Sequence, residues 1–485
     1  MSAELNGSSS LEVRLLIAGA WVAGSEEHWL PVIDPSTGDP VGRVAAANDT
    51  DLGRALEAAE RGFTAWRAIA PFERARTLRL AAALLRERAD AIAAVLTTEQ
   101  GKPLLQARHE ILGAADTIDW FAEEGKRCFG QMIPGRTGPT HVLTRLEPVG
   151  PVAAFTPWNF PVSQSVKKLA AALAAGCSII LKGPEEAPGA CAEMVRCFVD
   201  AGLPPGAIGL LYGNPPRISE CLIADPVIRH VTLTGSVAVG RVVAALAGRY
   251  LKPLTLELGG HAPAIICEDA DLSLAAKELV RMKFMNAGQV CLAPTRFLVA
   301  RPVYREFLDQ FRDLAHRLRV DAGHQPLVDM GPLATSRRLE AIQALVDDAV
   351  KHGATIECGG RRLDRSGYFY APTVLSNVPV ASRAMNEEPF GPLALFRPFD
   401  TLDEAIAEAN RLPYGLGSYL FTRSIANEAA VTERIEAGMV AVNRIFSSNI
   451  EAPFGGVKDS GYGSEGGTFA IRNFLYEKVL SRFVG

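Results

Sequence analysis

Apolar positions recur at helical spacing between Asp49 and about Thr98, with Leu52, Leu56, Phe63 and Trp66 on one face. A second helix is predicted from Pro71 through the run LRLAAALLRERADAIAAVL, since proline suits a first helical turn. From Pro151 the period changes. Short β-rich runs (PVAAF, CSIILK, GAIGLLYG, IRHVTLT and KPLTLEL) alternate with helical runs near Val162 to Ala175, over Ala190 to Asp200, in a short stretch before Ile228 and from about Val237. Such alternation predicts a parallel sheet covered on both faces, which binds ligands at the carboxyl ends of its strands.

The alternation resumes after Glu257 with APAIIC, a helix from Leu272, RFLVA beyond Cys291 and a helix over Val303 to Leu318, so a second α/β unit is expected. The segments near 128–147 and 466–485 fit neither unit; their extended runs HVLTRLEPV and LYEKVLSRFV could pair as an arm. Residues 1 to about 12 read as a loose leader, and no internal repeat or low-complexity tract occurs.

Composition narrows the class. A length of 485 residues suggests two to four domains, with 48% apolar and 21% charged residues as in globular proteins. The 50 basic and 54 acidic side chains are well mixed and leave a net charge of -4, so neither a nucleic-acid nor a membrane partner gains support. The eight cysteines are scattered without a C-x-x-C pair, which fits free thiols in a reducing compartment. No histidine pairs with cysteine at ligand spacing, so no metal is expected. The start, MSAELNGSSSLEV, does not read as a signal peptide, and the uncharged stretch Leu169 to Leu181 is too short for a bilayer, so the expected location is cytoplasmic.

Several strand ends carry candidate chemistry. Cys291, in Asn286-Ala-Gly-Gln-Val-Cys291, has small neighbours that leave room for a ligand, although any one cysteine can be a small core hydrophobe. Glu257 ends PLTLEL beside a glycine turn, where it could act as a general base or simply stand in a surface turn. Gly235 to Gly240 joins a strand to a helix, as a phosphate site or a plain turn would. Lys182 and Glu185 could hydrogen-bond ribose hydroxyls, the glutamate repelling a 2′-phosphate, or form a solvated loop. Asn159, within Pro157-Trp-Asn-Phe-Pro161, could donate to a developing oxyanion or cap a turn.

Together the stretches TPWNFP, LKGPE, LTGSVAVG, LELGG, GQVC, EEPFGP and PFGGVKDSGYGSEG resemble the aldehyde dehydrogenase superfamily in order and spacing, from about residue 155 to 466. The resemblance implies a Rossmann-like cofactor domain (1–127 and 148–256), an α/β catalytic domain (257–465) and a small β oligomerisation arm (128–147 and 466–485), assembled as dimers or tetramers. It implies Cys291 as nucleophile, Glu257 as general base and Asn159, with the Cys291 backbone N–H, as oxyanion hole. The cofactor, NAD in preference to NADP because of Glu185, would meet Thr156, Trp158, Lys182, Glu185, Gly235, Ser236, Gly240 and Leu258, with Glu388 and Phe390 at the nicotinamide ribose. Departures from the family pattern are Leu233 for a phenylalanine, Val237 for a threonine and His261 after Gly260.

By the same analogy Phe160, Gln164, Lys167, Met285, Val290, Leu292 and the loop Phe446-Ser447-Ser448-Asn449 line the substrate channel. KKLAAALAAGC and EAPFGGVK resemble succinate-semialdehyde dehydrogenases, yet two arginines of those enzymes are Met285 and Lys167 here, which weakens bidentate carboxylate recognition. The expected substrate is a somewhat apolar, aromatic or keto-bearing aldehyde, with Lys167 either meeting an anionic tail or standing as a solvated rim charge. The alternatives are succinate semialdehyde itself, a CoA-acylating enzyme, against which Glu257 counts, and a catalytically silent member of the fold, against which Cys291 counts.

Overall fold

The computed structural model describes residues 11–136, 138, 140–446 and 449–483. Two large sheets organise it. The first has eight strands in the order Gly461–Tyr462, Leu254–Glu257, His230–Thr234, Val152–Phe155, Ile179–Lys182, Ile208–Leu211, Leu15–Ile17 and Ala20–Val22. Its five central strands run parallel, and they are the five β-rich runs of the alternating region. The edges are antiparallel: Gly461–Tyr462 returns from far along the chain, and Leu15–Ile17 comes from near its start. Residues of the central strands are buried on both faces, which is why they read as continuous apolar runs rather than alternating ones.

The helix Pro161–Ala175 is buried nearly all round and stops at Gly176, whose φ of 100° lies in the left-handed region. The long apolar run after Pro71 divides into Pro71–Glu87 and Ala89–Gln100, broken at Arg88, and the 21-residue helix Leu104–Glu124, not anticipated from the sequence, packs against both. Residues 11–13 form a strand paired with Pro40–Ala45, so the expected leader is shorter than residue 12; residues 1–10 lie outside the described part.

The second sheet has seven strands in the order Thr355–Cys358, Thr373–Ser376, Leu393–Phe399, Arg296–Ala300, Pro263–Ile266, Gly417–Phe421 and Met439–Val442, parallel except for the first. A separate antiparallel sheet joins Leu475–Phe483 to Thr140–Pro148 and Met132–Pro134. Among the described residues no helix is long and apolar enough to cross a membrane.

Candidate active site

Four adjacent strands of the first sheet end on candidate residues. Val152–Phe155 leads into Thr156–Phe160, Ile179–Lys182 ends in Lys182, His230–Thr234 leads to Gly235 and Ser236, and Leu254–Glu257 ends in Glu257. Lys182 Nζ donates to Glu185 Oε2 at 2.5 Å, and Glu185 Oε1 accepts the Gly213 N–H at 2.9 Å. The Thr156 N–H donates to the Lys182 carbonyl at 3.3 Å, and Thr156 Oγ1 accepts from Ser165 at 3.1 Å. Ser236 caps the helix Val237–Arg249, its hydroxyl accepting the Val239 N–H at 3.3 Å, so a positive helix terminus opens beside Gly235. Gly240, one turn along, packs on Leu258.

Glu388 reaches this ledge from the second sheet's side. Its Oε1 accepts the Gly260 N–H at 3.1 Å, and a Cβ on Gly259 would stand 2.2 Å from its Oε2, so the carboxylate lies on bare backbone. Burial pushes Glu388 up to about 7 against the pull of that N–H, Arg338 and Lys283. Phe390 meets Trp158 edge-on, with ring centroids 5.6 Å apart. A lysine–glutamate pair, a helix N-terminus and a second carboxylate on a glycine turn are the groups a dinucleotide's ribose hydroxyls and pyrophosphate require.

Cys291 follows a tight loop. Asn286 (φ 49°) and Ala287 (φ 53°) are left-handed, as is Gly288 (φ 72°), where a Cβ would stand 2.1 Å from the Gly391 carbonyl oxygen. Non-glycine residues in this region cost about 1–3 kcal/mol each and persist only where their surroundings hold them. Here Gln100 Nε2 donates to Asn286 Oδ1, the Asn286 N–H to Gln106 Oε1, and the Ala334 N–H to Gln289 Oε1, each at 2.9 Å. Asn159 joins the clamp: its Nδ2 donates to the Gln289 carbonyl at 2.9 Å, while its own carbonyl accepts from Asn286 Nδ2 at 2.9 Å.

Cys291 opens on a cavity of about 460 Å³. Phe160, Gln164, Lys167, Met285, Val290, Leu292, Phe446 and Asn449 line the same space; Ser447 and Ser448 lie outside the described residues. Lys167 Nζ stands 3.9 Å from the centroid of the Phe454 ring. Burial, then the fields of Glu388 and Glu257, push the Cys291 thiol up to about 12, with Lys167 opposing. The sulfur is therefore reachable but protonated at neutral pH. Glu257 is buried, neither of its oxygens has a hydrogen-bond partner among the described residues, and burial followed by the field of Glu465 holds it well above the usual carboxylate range. Glu465 accepts a hydrogen bond from Lys168, which also donates to Thr234 Oγ1 at 2.8 Å and Thr232 Oγ1 at 3.2 Å.

Residues 21–480 match the model of the aldehyde dehydrogenase family. This chain belongs to that family. It is 50% identical over 466 residues, 96% of this chain and 97% of the other, to the 4-(hydroxymethyl)benzenesulfonate dehydrogenase TsaD1 of Comamonas testosteroni. It is 37% identical to the NADP⁺-dependent succinate-semialdehyde dehydrogenase GabD of Escherichia coli K12, covering 98% of this chain and 99% of that one. The crystal structure of succinate-semialdehyde dehydrogenase from Burkholderia pseudomallei superposes with a TM-score of 0.96 at 38% identity, covering 97% of this chain and 98% of that one. The protein is an NAD(P)-dependent aldehyde dehydrogenase.

Within this aldehyde dehydrogenase the His261 departure has a local explanation. The buried imidazole donates from Nε2 to the Ala384 carbonyl at 2.9 Å and accepts at Nδ1 from the Thr295 hydroxyl at 2.6 Å. Burial, then Arg296, keeps it neutral, so it ties the Gly259–Gly260 turn to the turn Arg383–Met385 and to Thr295, just before the strand Arg296–Ala300. Sequence reasoning missed Lys168 and Glu465, and it missed the cavity wall at Met439, Val440, Arg444 and Phe454. Only the basic character of Arg444 near the expected channel loop could have drawn attention to it.

Proposed function

We propose that this enzyme oxidises an aromatic aldehyde bearing an anionic substituent to the carboxylate, through a thioester on Cys291, with NAD as the preferred cofactor. The observation that carries the reading is the cavity in which Cys291 lies among apolar walls (Phe160, Met285, Val290, Leu292, Phe446) with two cations, Lys167 and Arg444, on its lining. An aromatic ring suits the walls, and a fixed negative charge suits the cations. The Comamonas relative is named for a benzenesulfonate carrying a hydroxymethyl group, whose two-electron oxidation yields the corresponding benzaldehyde. Met285 and Lys167 stand where a planar arginine fork would favour a small dicarboxylic semialdehyde.

The residues divide the chemistry as follows. The Cys291 sulfur attacks the carbonyl carbon, and the thiol proton passes to solvent water as the C–S bond forms. The carbonyl electron pair moves onto oxygen, where the second N–H of Asn159 Nδ2 and the Cys291 backbone N–H hold it, each such donor contributing about 3 kcal/mol. When bound, the nicotinamide cofactor supplies the acceptor for the hydride that leaves this carbon. The carbonyl reforms as a thioester on Cys291. Glu257 then takes a proton from water, the hydroxide adds to the thioester, and the C–S bond breaks to release the carboxylate. The pair Lys168–Glu465 acts on Glu257 through its charges, Glu465 raising and Lys168 lowering its affinity for a proton.

The preference for NAD rests on Glu185, whose negative charge beside Lys182 disfavours a 2′-phosphate. Thr156, Trp158, Ser236 and Glu388 complete the cofactor ledge in this reading. The same reading keeps residues 1–127 and 148–256 as cofactor domain, 257–465 as catalytic domain, and 128–147 with 466–485 as an arm. Exposed Met132, Val479 and Phe483 on that arm sheet support assembly into homo-oligomers. Eight free thiols suit a reducing cytoplasm.

Steady-state kinetics with NAD and NADP across 4-sulfobenzaldehyde, benzaldehyde, propanal and succinate semialdehyde tests the proposal. The highest kcat/KM is expected for 4-sulfobenzaldehyde with NAD. A preference for succinate semialdehyde would overturn the aromatic assignment.

A further inference from the structure

We infer that Tyr419 is a positioning residue that fixes the nucleophile segment and the Phe446 wall of the cavity to one rigid strand. Tyr419 lies in Gly417–Phe421, inside the seven-stranded sheet between Pro263–Ile266 and Met439–Val442, and is fully buried. Its hydroxyl donates to the Leu292 carbonyl at 2.7 Å, one residue past Cys291. Its ring lies against Phe446, with centroids 5.0 Å apart and planes at 59°.

Residues two apart on a strand share a face, and Gly417 repeats the arrangement. A Cβ there would stand 2.7 Å from Leu292 Cδ2 and 3.1 Å from Phe446 Cε2, so both cavity-lining side chains press onto bare strand backbone. The segment from Gln289 to Thr295 belongs to no helix or strand. Its position is therefore set by what grips it, and the phenol grips it from an element that packed sheet neighbours hold still. Burial keeps the Tyr419 hydroxyl protonated, so it remains a donor at every working pH. Tyr419 does not itself line the cavity. The hydroxyl sets where Cys291 stands, and the ring sets where Phe446 stands, so one side chain fixes the gap a substrate must fit.

The test separates the hydroxyl from the ring, and it rests on Cys291 being the nucleophile. Tyr419→Phe is expected to lower kcat about ten- to a hundredfold for both propanal and benzaldehyde, since small misplacements of a reacting group cost rates of this order. KM should stay within about twofold for both, because this change leaves the Phe446 contact in place. Tyr419→Leu should in addition raise KM for benzaldehyde at least about fivefold while leaving that for propanal unchanged, because only the larger aldehyde reaches Phe446. Gly417→Ala, which leaves the hydroxyl intact, should raise the benzaldehyde KM alone and covers the case in which Tyr419→Leu does not fold. A Tyr419→Phe enzyme with kcat within twofold of the parent, or a KM that rises equally for both aldehydes in the other variants, would overturn the inference. A parent that reduces NAD with neither of these aldehydes nor with 4-sulfobenzaldehyde would instead overturn the proposed function.

Discussion

Lys102 lies in the interior with its ammonium donating to Glu110 Oε2 at 2.5 Å and to the Asn159 carbonyl at 2.8 Å. Glu110 Oε1 in turn accepts the N–H groups of Val162 at 3.0 Å and Ser163 at 3.1 Å, the first turn of the helix Pro161–Ala175. One buried ion pair thus closes a helix terminus and anchors the backbone of the residue proposed to hold the oxyanion. Burial lowers the affinity of Lys102 for its proton, and Glu110 opposes that loss without cancelling it.

Replacing Lys102 by Met should therefore destabilise the protein strongly. The variant strands Glu110 without its cation, a loss of about 3–5 kcal/mol for a broken buried pair. Lys102→Met/Glu110→Gln should recover part of that loss, because no uncompensated charge remains. Differential scanning fluorimetry of the two variants checks this, and melting points equal to the parent's would remove the pair from the stability of the fold.

Cys291 should react with electrophiles in proportion to hydroxide. A thiol held at about 12 is ionised in only about one part in 10⁵ at pH 7, against a few per cent for a free cysteine. Iodoacetamide labelling of the Cys291 peptide in the cofactor-free enzyme, followed by mass spectrometry, should accelerate about tenfold per pH unit from 7 to 10 without levelling. Lys167 pulls the thiol downward, so Lys167→Met should slow labelling at any fixed pH in this range. A plateau below pH 9 would contradict the buried-thiol account.

Glu257→Gln should keep a burst of reduced cofactor while steady turnover falls about 10²–10⁴-fold, the range for a lost general base. The sign of the pH dependence follows from the raised affinity of Glu257 for its proton. Raising an acid's pKa moves its ionisation to higher pH, so the basic form, and with it thioester hydrolysis, grows as pH rises beyond the ordinary carboxylate range. Glu465 contributes to that rise and Lys168 opposes it, so Glu465→Gln removes one anion and frees one cation, both shifting the rising limb toward acid. Rapid-mixing absorbance at 340 nm over pH 6 to 9 measures both quantities. An unmoved limb in Glu465→Gln would uncouple the two carboxylates.

How much of this was legible in the sequence follows from how local each signal is. Lys182, Ser236 and Glu257 stand at or just past strand ends, where the change from β-rich to helical pattern marks a site within a few residues. The five central strands were legible for the same reason. The helix Leu104–Glu124 has buried Ala107, Ile111, Ala114 and Ile118 at helical spacing, yet small alanines make a faint stripe. Lys168 and Glu465 are 297 positions apart and meet only because Gly461–Tyr462 returns to the first sheet, which no local pattern announces. The second sheet also reverses the expected geometry: Cys291 and Glu388 each precede their strands, Arg296–Ala300 and Leu393–Phe399, so this unit presents its amino edge to the carboxyl edge of the first. A rule built on carboxyl ends locates half of the site and misses the surface facing it.

Gly259 lies at a contact between those two surfaces, and its substitution should report on the cofactor ledge. A Cβ at this position would stand 2.2 Å from Glu388 Oε2 and 2.9 Å from its Cδ, so Gly259→Ala must push the carboxylate off the turn and away from the Gly260 N–H. Hydrogen bonds to charged groups contribute about 1.5–3 kcal/mol, which corresponds to roughly a ten- to hundredfold loss where the displaced group no longer meets its ligand. NAD binding followed by quenching of protein fluorescence should weaken by that factor, and Glu388→Gln should weaken it less because the side chain keeps its place. Labelling of Cys291 should meanwhile become easier in Gly259→Ala, since Glu388 is one of the charges that hold the thiol protonated. If Gly259→Ala binds NAD as the parent does, Glu388 is not part of the cofactor ledge and its burial on this turn serves the junction of the two sheets instead.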